Sequence, residues 1–187
     1  GYDNEIDVLS PLGAGAALTT LFRPEEGRFV GDVDLNFDAD RMLLSMPGAS
    51  TWQVWELKAD GTGLTQVTPD EPKDVESYDA CYLPDGRIIF TSTANMQGVP
   101  CIGGGGHVAN LAMIDPADKA KKIRQLTFEQ DHDWCPTVMN DGMVMYLRWE
   151  YTDTPHYYTR LIACMNPDGT NQKSLYGSNS YWPNAIF

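Results

Sequence analysis

Positive charge is scarce in this sequence: 13 Lys and Arg stand against 26 Asp and Glu among 187 residues, a formal charge of −13. A surface of that sign repels phosphate backbones and anionic headgroups, which argues against nucleic acid and bare membrane as partners. Long apolar runs are missing too, so no segment predicts a spanning helix. The first residues, Gly1-Tyr-Asp-Asn-Glu5, are acidic with no apolar stretch behind them, as expected of a mature chain or of a piece cut from a longer one. The chain carries only four cysteines, Cys81, Cys101, Cys135 and Cys164, and neither Cys-x-x-Cys nor Cys-x-x-Cys-His occurs. That excludes a zinc ribbon, a thioredoxin-type redox pair and covalent c-type haem attachment within these residues. Two disulfides are permitted by the even count, although a chain of this size does not need them. Nucleophile motifs are equally absent: there is no Gly-x-Ser-x-Gly, Ser-x-x-Lys or His-Glu-x-x-His.

What is present is a folded chain, since 42% hydrophobic and 11% aromatic residues are too many for disorder. Its dominant feature is repetition. Phe37-Asp-Ala-Asp-Arg-Met-Leu-Leu-Ser, Leu83-Pro-Asp-Gly-Arg-Ile-Ile-Phe-Thr and Met139-Asn-Asp-Gly-Met-Val-Met-Tyr-Leu share one pattern, spaced 46 and 56 residues apart. In each, an apolar residue precedes a tight Asp/Asn/Gly turn and a β-branched or apolar run, which predicts a hairpin. A second hairpin follows, as in Trp52 to Thr68 with its Asp60-Gly61 turn and Leu161 to Leu175 with Asp168-Gly169. The middle copy runs from Ala109 to Thr127 and carries a basic insert, Lys119 to Lys122. Helical periodicity is nearly absent; Pro116 to Ile123 could form one helical turn but is simpler as a hairpin loop.

Four strands per repeat at a period of roughly 40–50 residues predict an all-β fold, a β-propeller of four-stranded antiparallel blades. The expected division is a partial blade at 1–30, blades at 31–70, 71–128 and 129–177, and the start of a next blade at 178–187. In that last piece Trp182-Pro-Asn-Ala-Ile-Phe187 lines up with Trp134-Cys-Pro-Thr-Val-Met139, 48 residues earlier. Three blades and two part-blades make either a small closed ring or a fragment of a larger one, and the expected strand missing after Phe187 favours the fragment.

Blade topology puts the short Asp-Gly turns on one face and the long connections on the other, where binding residues concentrate. The connection Thr93 to Val108 holds Cys101 and Gly103-Gly-Gly-Gly-His107, without the helix and Lys-Ser/Thr that a phosphate-cradling loop requires. Close backbone approach explains such a glycine run better. A further connection, Arg148-Trp-Glu-Tyr-Thr-Asp-Thr-Pro-His-Tyr-Tyr158, gathers Arg148, Trp149, Glu150, Asp153 and His156 among tyrosines. That composition suits stacking on a sugar or flat cofactor, or else a self-packed aromatic plug. His132, Asp133 and Cys135 lie within four residues. Imidazole, carboxylate and thiolate all ligate zinc, and Asp79 occupies the position in the preceding blade equivalent to Cys135, with Cys81 nearby. Buried, such a cysteine acts as a small apolar side chain, the role also expected of Cys164.

Tyr82-Leu-Pro-Asp-Gly-Arg-Ile-Ile-Phe90 and Asn166-Pro-Asp-Gly-Thr-Asn171 resemble the repeats of TolB-like, WD40-like propellers. Five longer strings, beginning at Val30, Tyr78, Trp134, Tyr146 and Gly177, are similar to proteins related to the alpha subunit of hydrazine synthase, from about Val30 onward. The resemblance implies a middle propeller domain of an exported, periplasmic or extracellular bacterial protein that assembles with other domains or subunits. It also implies c-type haem, which would have to be supplied by another domain because Cys-x-x-Cys-His is lacking here. The expected role is a scaffold and binding domain whose long-loop face presents His107, Arg148, Trp149, Glu150, Asp153 and His156 to a ligand or partner. An alternative keeps the chain a metal-assisted carbohydrate lyase or hydrolase, with Asp79, His132, Asp133 and Cys135 as the candidate metal ligands.

Overall fold

A computed structural model describes residues 4–70, 72–150 and 160–177. At the N-terminus β1 (Ile6–Ser10) and β2 (Ala17–Phe22) form a two-stranded antiparallel sheet. Three four-stranded sheets follow, each an up-and-down meander in chain order. The first blade is β3 (Gly31–Leu35), β4 (Arg41–Pro47), β5 (Trp52–Lys58) and β6 (Thr65–Gln66). The second is β7 (Ser77–Tyr82), β8 (Ile88–Ser92), β9 (Asn110–Ile114) and β10 (Arg124–Gln125). The third is β11 (His132–Val138), β12 (Val144–Trp149), β13 (Leu161–Met165) and β14 (Lys173–Tyr176). Apart from two three-residue 3-10 turns, no helix occurs among the described residues, and none is long and apolar enough to cross a membrane. Residues 178–187, expected to begin a further blade, lie outside the described residues.

Strand alternation explains the packing. Neighbouring residues of a strand point to opposite faces, so each blade has two apolar faces, and among the described residues the first and second blades bury both against their sequence neighbours. Met42, Leu44 and Met46 of β4 pack with Ile6, Leu21 and Phe22 of the N-terminal hairpin. Leu43 and Val54 of the same blade meet Tyr82, Ile88 and Phe90 of the second. The other face of the second blade, with Cys81, Ile89 and Leu111, closes on Val144, Tyr146, Ala163 and Met165 of the third. Cys164 is buried, as its flanking Ala163 and Met165 led one to expect. The molecule is therefore a row of sheets sealed by two blade-to-blade seams, a partial β-propeller.

The sequence repeat itself is the β-turn joining the two inner strands of each blade. In the second, Gly86 donates to the Leu83 carbonyl at 2.9 Å and holds φ at 87°, while Asp85 Oδ1 accepts from Arg87 N at 3.1 Å. Nothing lies within 4 Å of where a Gly86 side chain would go. A larger residue there thus meets conformational strain alone. Gly86→Val is expected to lower stability by about 1–3 kcal/mol, read as a reduced denaturant midpoint with an unchanged slope; equal midpoints would contradict this account of the turn.

Candidate functional site

The innermost strands β3, β7 and β11 each contain a β-bulge, and at each bulge a residue other than glycine sits in the left-handed region: Asp32 at φ 51°, Asp79 at 52° and Cys135 at 52°. A bulge re-aims its side chain, and here it turns three equivalent side chains into one row across the inner wall. Asp79 Oδ2 accepts from Cys135 N at 2.6 Å, so consecutive corners touch across the seam. Asp34 Oδ2 makes a comparable tie to Tyr82 N at 3.0 Å, and Asp79 N donates to Ser45 Oγ at 2.8 Å. Burial pushes the Asp79 carboxyl up, with Asp32 adding to the effect against the bonds from Cys135. Burial and the adjacent Asp79 and Asp32 charges push the Cys135 thiol up to about 12. Cys135 is thus a protonated thiol at neutral pH, a poor nucleophile and a metal ligand only at the cost of its proton.

His132 and Asp133, expected beside Cys135, are committed elsewhere. His132 Nδ1 accepts from Ala109 N at 3.1 Å, and its ring stacks on Trp134 at 4.5 Å and Trp149 at 5.6 Å. The Arg160 guanidinium covers the Trp149 ring at 4.7 Å and reaches Trp134 at 5.6 Å. Burial in this stack, with Arg160 nearby, lowers the His132 pKa to about 4. Asp133 is fully buried and faces Arg148, its cross-strand partner, at 2.9 and 3.3 Å through Nε and the terminal nitrogen. Glu129 at 3.7 Å and Gln172 at 3.0 Å complete the surroundings of Arg148. A buried pair of this kind loses about 3–5 kcal/mol when one partner is removed, because the other charge is stranded. Arg148 and Trp149, expected to meet a ligand, serve here to lock β11 to β12. Among the described residues, no three His, Cys, Asp or Glu side chains converge as a metal-ligand set.

No family model and no curated protein matches this chain. Solved structures do. It is similar to a hydrazine synthase from Kuenenia stuttgartiensis, at 16% identity and a TM-score of 0.72 over 88% of this chain and 27% of that one. TolB from Acinetobacter baumannii aligns at 17% identity with a TM-score of 0.58, over 93% of this chain and 41% of that one. An oligogalacturonate lyase in complex with manganese aligns at 15% identity with a TM-score of 0.54, over 91% and 41%. The fold is that of a β-propeller. At these identities the likeness carries the fold alone, and the chain spans less than half the length of each of these proteins.

The upper face of the propeller carries the long connections. In the second blade, residues 93–109 form a closed protrusion: Val99 N donates to Gly106 O at 2.8 Å, Gly104 N to Val99 O at 2.9 Å, and Val108 N to Gln97 O at 2.9 Å. A Cβ on Gly98 would stand 2.7 Å from Gly104 Cα, so the glycine run exists for close backbone approach. Val99 and Val108 anchor the base on Trp149 and Trp134, while Met96 and Ile102 are 58% and 60% exposed. His107 is exposed and bridges Gly98 through its backbone. Glu150 is half-buried at the end of β12; Asp153 and His156 lie outside the described residues. Sequence reasoning passed over Asp32 and Arg160. Asp32 was within reach, since Asp32 and Asp79 are 47 residues apart at the same step of the repeat; Arg160 carries no sequence signal, because only the sheet register brings it to Trp149.

His132 generates a pH dependence. Its folded pKa of about 4 lies below its ordinary 6.5, so as pH falls through that window the unfolded chain takes up a proton that the folded chain refuses. Stability should therefore decline between about pH 6.5 and 4, and His132→Gln should flatten this part of a denaturation-midpoint profile. A His132 imidazole resonance titrating near 6.5 in the folded chain would contradict the stacked, buried placement.

Proposed function

We propose that this chain is a scaffold and binding domain of an exported, periplasmic or extracellular protein akin to the alpha subunit of hydrazine synthase, docking other domains or subunits through its upper face. The observation that carries the reading is the protrusion at 93–109: a loop closed by its own backbone bonds that nevertheless holds Met96 and Ile102 in solvent. A pre-ordered apolar tip loses little entropy on binding, and exposed apolar groups on a rigid loop suit a protein surface better than a small polar substrate. Around it, Arg148, Asp133, His132 and Trp149 satisfy one another, which supplies stiffness. The −13 charge favours a partner with a basic rim around an apolar pocket, because complementary potentials speed encounter. Any haem would belong to that partner, consistent with the resemblance and with the lack of Cys-x-x-Cys-His here.

The test mixes this chain with the separately expressed remainder of its parent protein. A complex is expected on sizing and by calorimetry, and Ile102→Asp with Met96→Asp should weaken it at least tenfold while leaving the thermal midpoint within the range of a surface change. No complex, or one indifferent to both substitutions, would overturn the reading.

The second reading, a metal-assisted carbohydrate-active propeller, draws on the likeness to the manganese-bound oligogalacturonate lyase and on the Asp79–Cys135 contact. Two touching ligands with raised pKa values are a thin basis, since a resident ion needs three or four donors. Equilibrium dialysis against zinc or manganese should leave well under one equivalent on the chain. One equivalent retained, and lost in Cys135→Ala, would instead promote the enzyme reading.

A further inference from the structure

Between the first two blades, at the end of the sheets that carries the long connections, Phe29, Asp32, Trp52, Glu76 and Tyr78 line a cavity of about 450 Å³. It is separate from the polar frame of His132, Asp133 and Arg148 and from the loop tip of Met96 and Ile102, none of which lines it. Its walls are three aromatic rings and two carboxylates.

The repeat places the rings. Tyr78 and Trp134 each stand one residue before the bulge corner of their inner strand, and in the first blade that step is Gly31, before Asp32. The missing ring comes from two residues earlier. Phe29 lays its side chain over Gly31, where a Cβ would stand 2.7 Å from the ring edge, so the glycine is what admits the ring. Trp52, at the start of β5, meets Phe29 edge to face, with centroids 5.3 Å apart and planes at 79°. Perpendicular rings form the corner of a box rather than a flat platform, a shape for a compact group.

The carboxylates are uncommitted. Glu76 is fixed through its backbone, its N–H donating to Thr93 Oγ1 at 2.9 Å and its carbonyl accepting from Thr93 N at 3.1 Å. Asp32 is exposed at its corner. Among the described residues, neither side chain takes part in an ion pair or a hydrogen bond. Arg28, next to Phe29, turns its guanidinium to the Pro47 carbonyl at 3.5 Å. Burial and the Glu76 charge push the Tyr78 phenol up to about 12, so it stays protonated at ordinary pH. Electron-rich ring faces beside two unpaired carboxylates, in a chain of charge −13, are surroundings for a cation. A metal ion gains little from aromatic walls, which offer it no donor atoms. A nitrogen cation clad in methyl groups uses both parts, its carbons against the rings and its charge against the carboxylates.

We propose that this cavity binds an alkylated ammonium group, held between Phe29, Trp52 and Tyr78 and balanced by Glu76 and Asp32. The site stands independently of docking through the loop tip. The shared chemistry is a methylated nitrogen cation, carried either by a free solute or by a side chain of a partner.

The test titrates the chain with choline chloride and with the neutral alcohol that has carbon in place of the choline nitrogen. Choline should bind saturably, with its methyl proton resonance moved upfield by the ring currents, and about tenfold tighter than the alcohol. Glu76→Gln keeps the shape and removes the charge, and should weaken choline binding by about threefold or more. Gly31→Ala pushes only on the flexible Phe29 ring, so it should weaken binding similarly while the thermal midpoint stays nearly unchanged. A trimethyl-lysine blocked at both ends is the second probe: tighter binding of choline assigns the site to a free solute, and tighter binding of the lysine assigns it to a partner's side chain. No saturable shift with either cation, equal affinity for choline and the alcohol, or binding indifferent to both substitutions would overturn the proposal.

Discussion

The tie between neighbouring inner strands is the constraint from which the rest of the structure follows. A β-bulge with φ near +50° on each inner strand turns one side chain sideways, and the Asp79 carboxylate uses that turn to accept the Cys135 amide of the next blade. Without the bulge the Asp79 side chain would continue the ordinary alternation into one sheet face. With it, a backbone group near the strand edge is satisfied across the seam, and the apolar faces of adjacent blades are brought into contact along their inner strands. The burial of Leu43, Ile89, Val54 and Leu111 depends on this alignment. So does the placement of the long connections on one common face.

The upper face shows how polar side chains can look like a site and act as a frame. Asp133 and Arg148 are opposite one another across β11 and β12, and their charges are spent on each other. His132 is held neutral between indole rings by burial, with Arg160 alongside. What remains available to a partner is the rim above them, where the closed loop of the second blade projects its apolar tip. Among the described residues, His132, Asp133 and Arg148 are drawn inward, while the loop tip holds Met96 and Ile102 in solvent.

Much of the fold was legible because its signals are local. The Asp85-Gly86 and Asp168-Gly169 turns, the alternating apolar runs and the repeat spacing all act over a few residues, and the structure follows them closely, down to the hairpin at Ile6–Phe22. The site was legible only in its membership. Asp79 and Cys135 do meet, as equivalent steps of a repeat must, but the spacing of His132, Asp133 and Cys135 along one strand sends them to different surroundings. Alternation separates Asp133 from its two neighbours, the bulge re-aims Cys135, and neither consequence can be read from ligand types alone. The Arg160 contact with Trp149 arises from the register between the consecutive strands β12 and β13, which residue types alone do not encode.

The packing of the described blades runs from neighbour to neighbour: the hairpin on the first blade, the first on the second, the second on the third. Mechanically that makes the chain a stack of coupled units rather than one body. Drawn from its two ends, it would yield sheet by sheet, each step releasing one seam and exposing the next. The acceptor bonds at the inner corners would then bear load in turn.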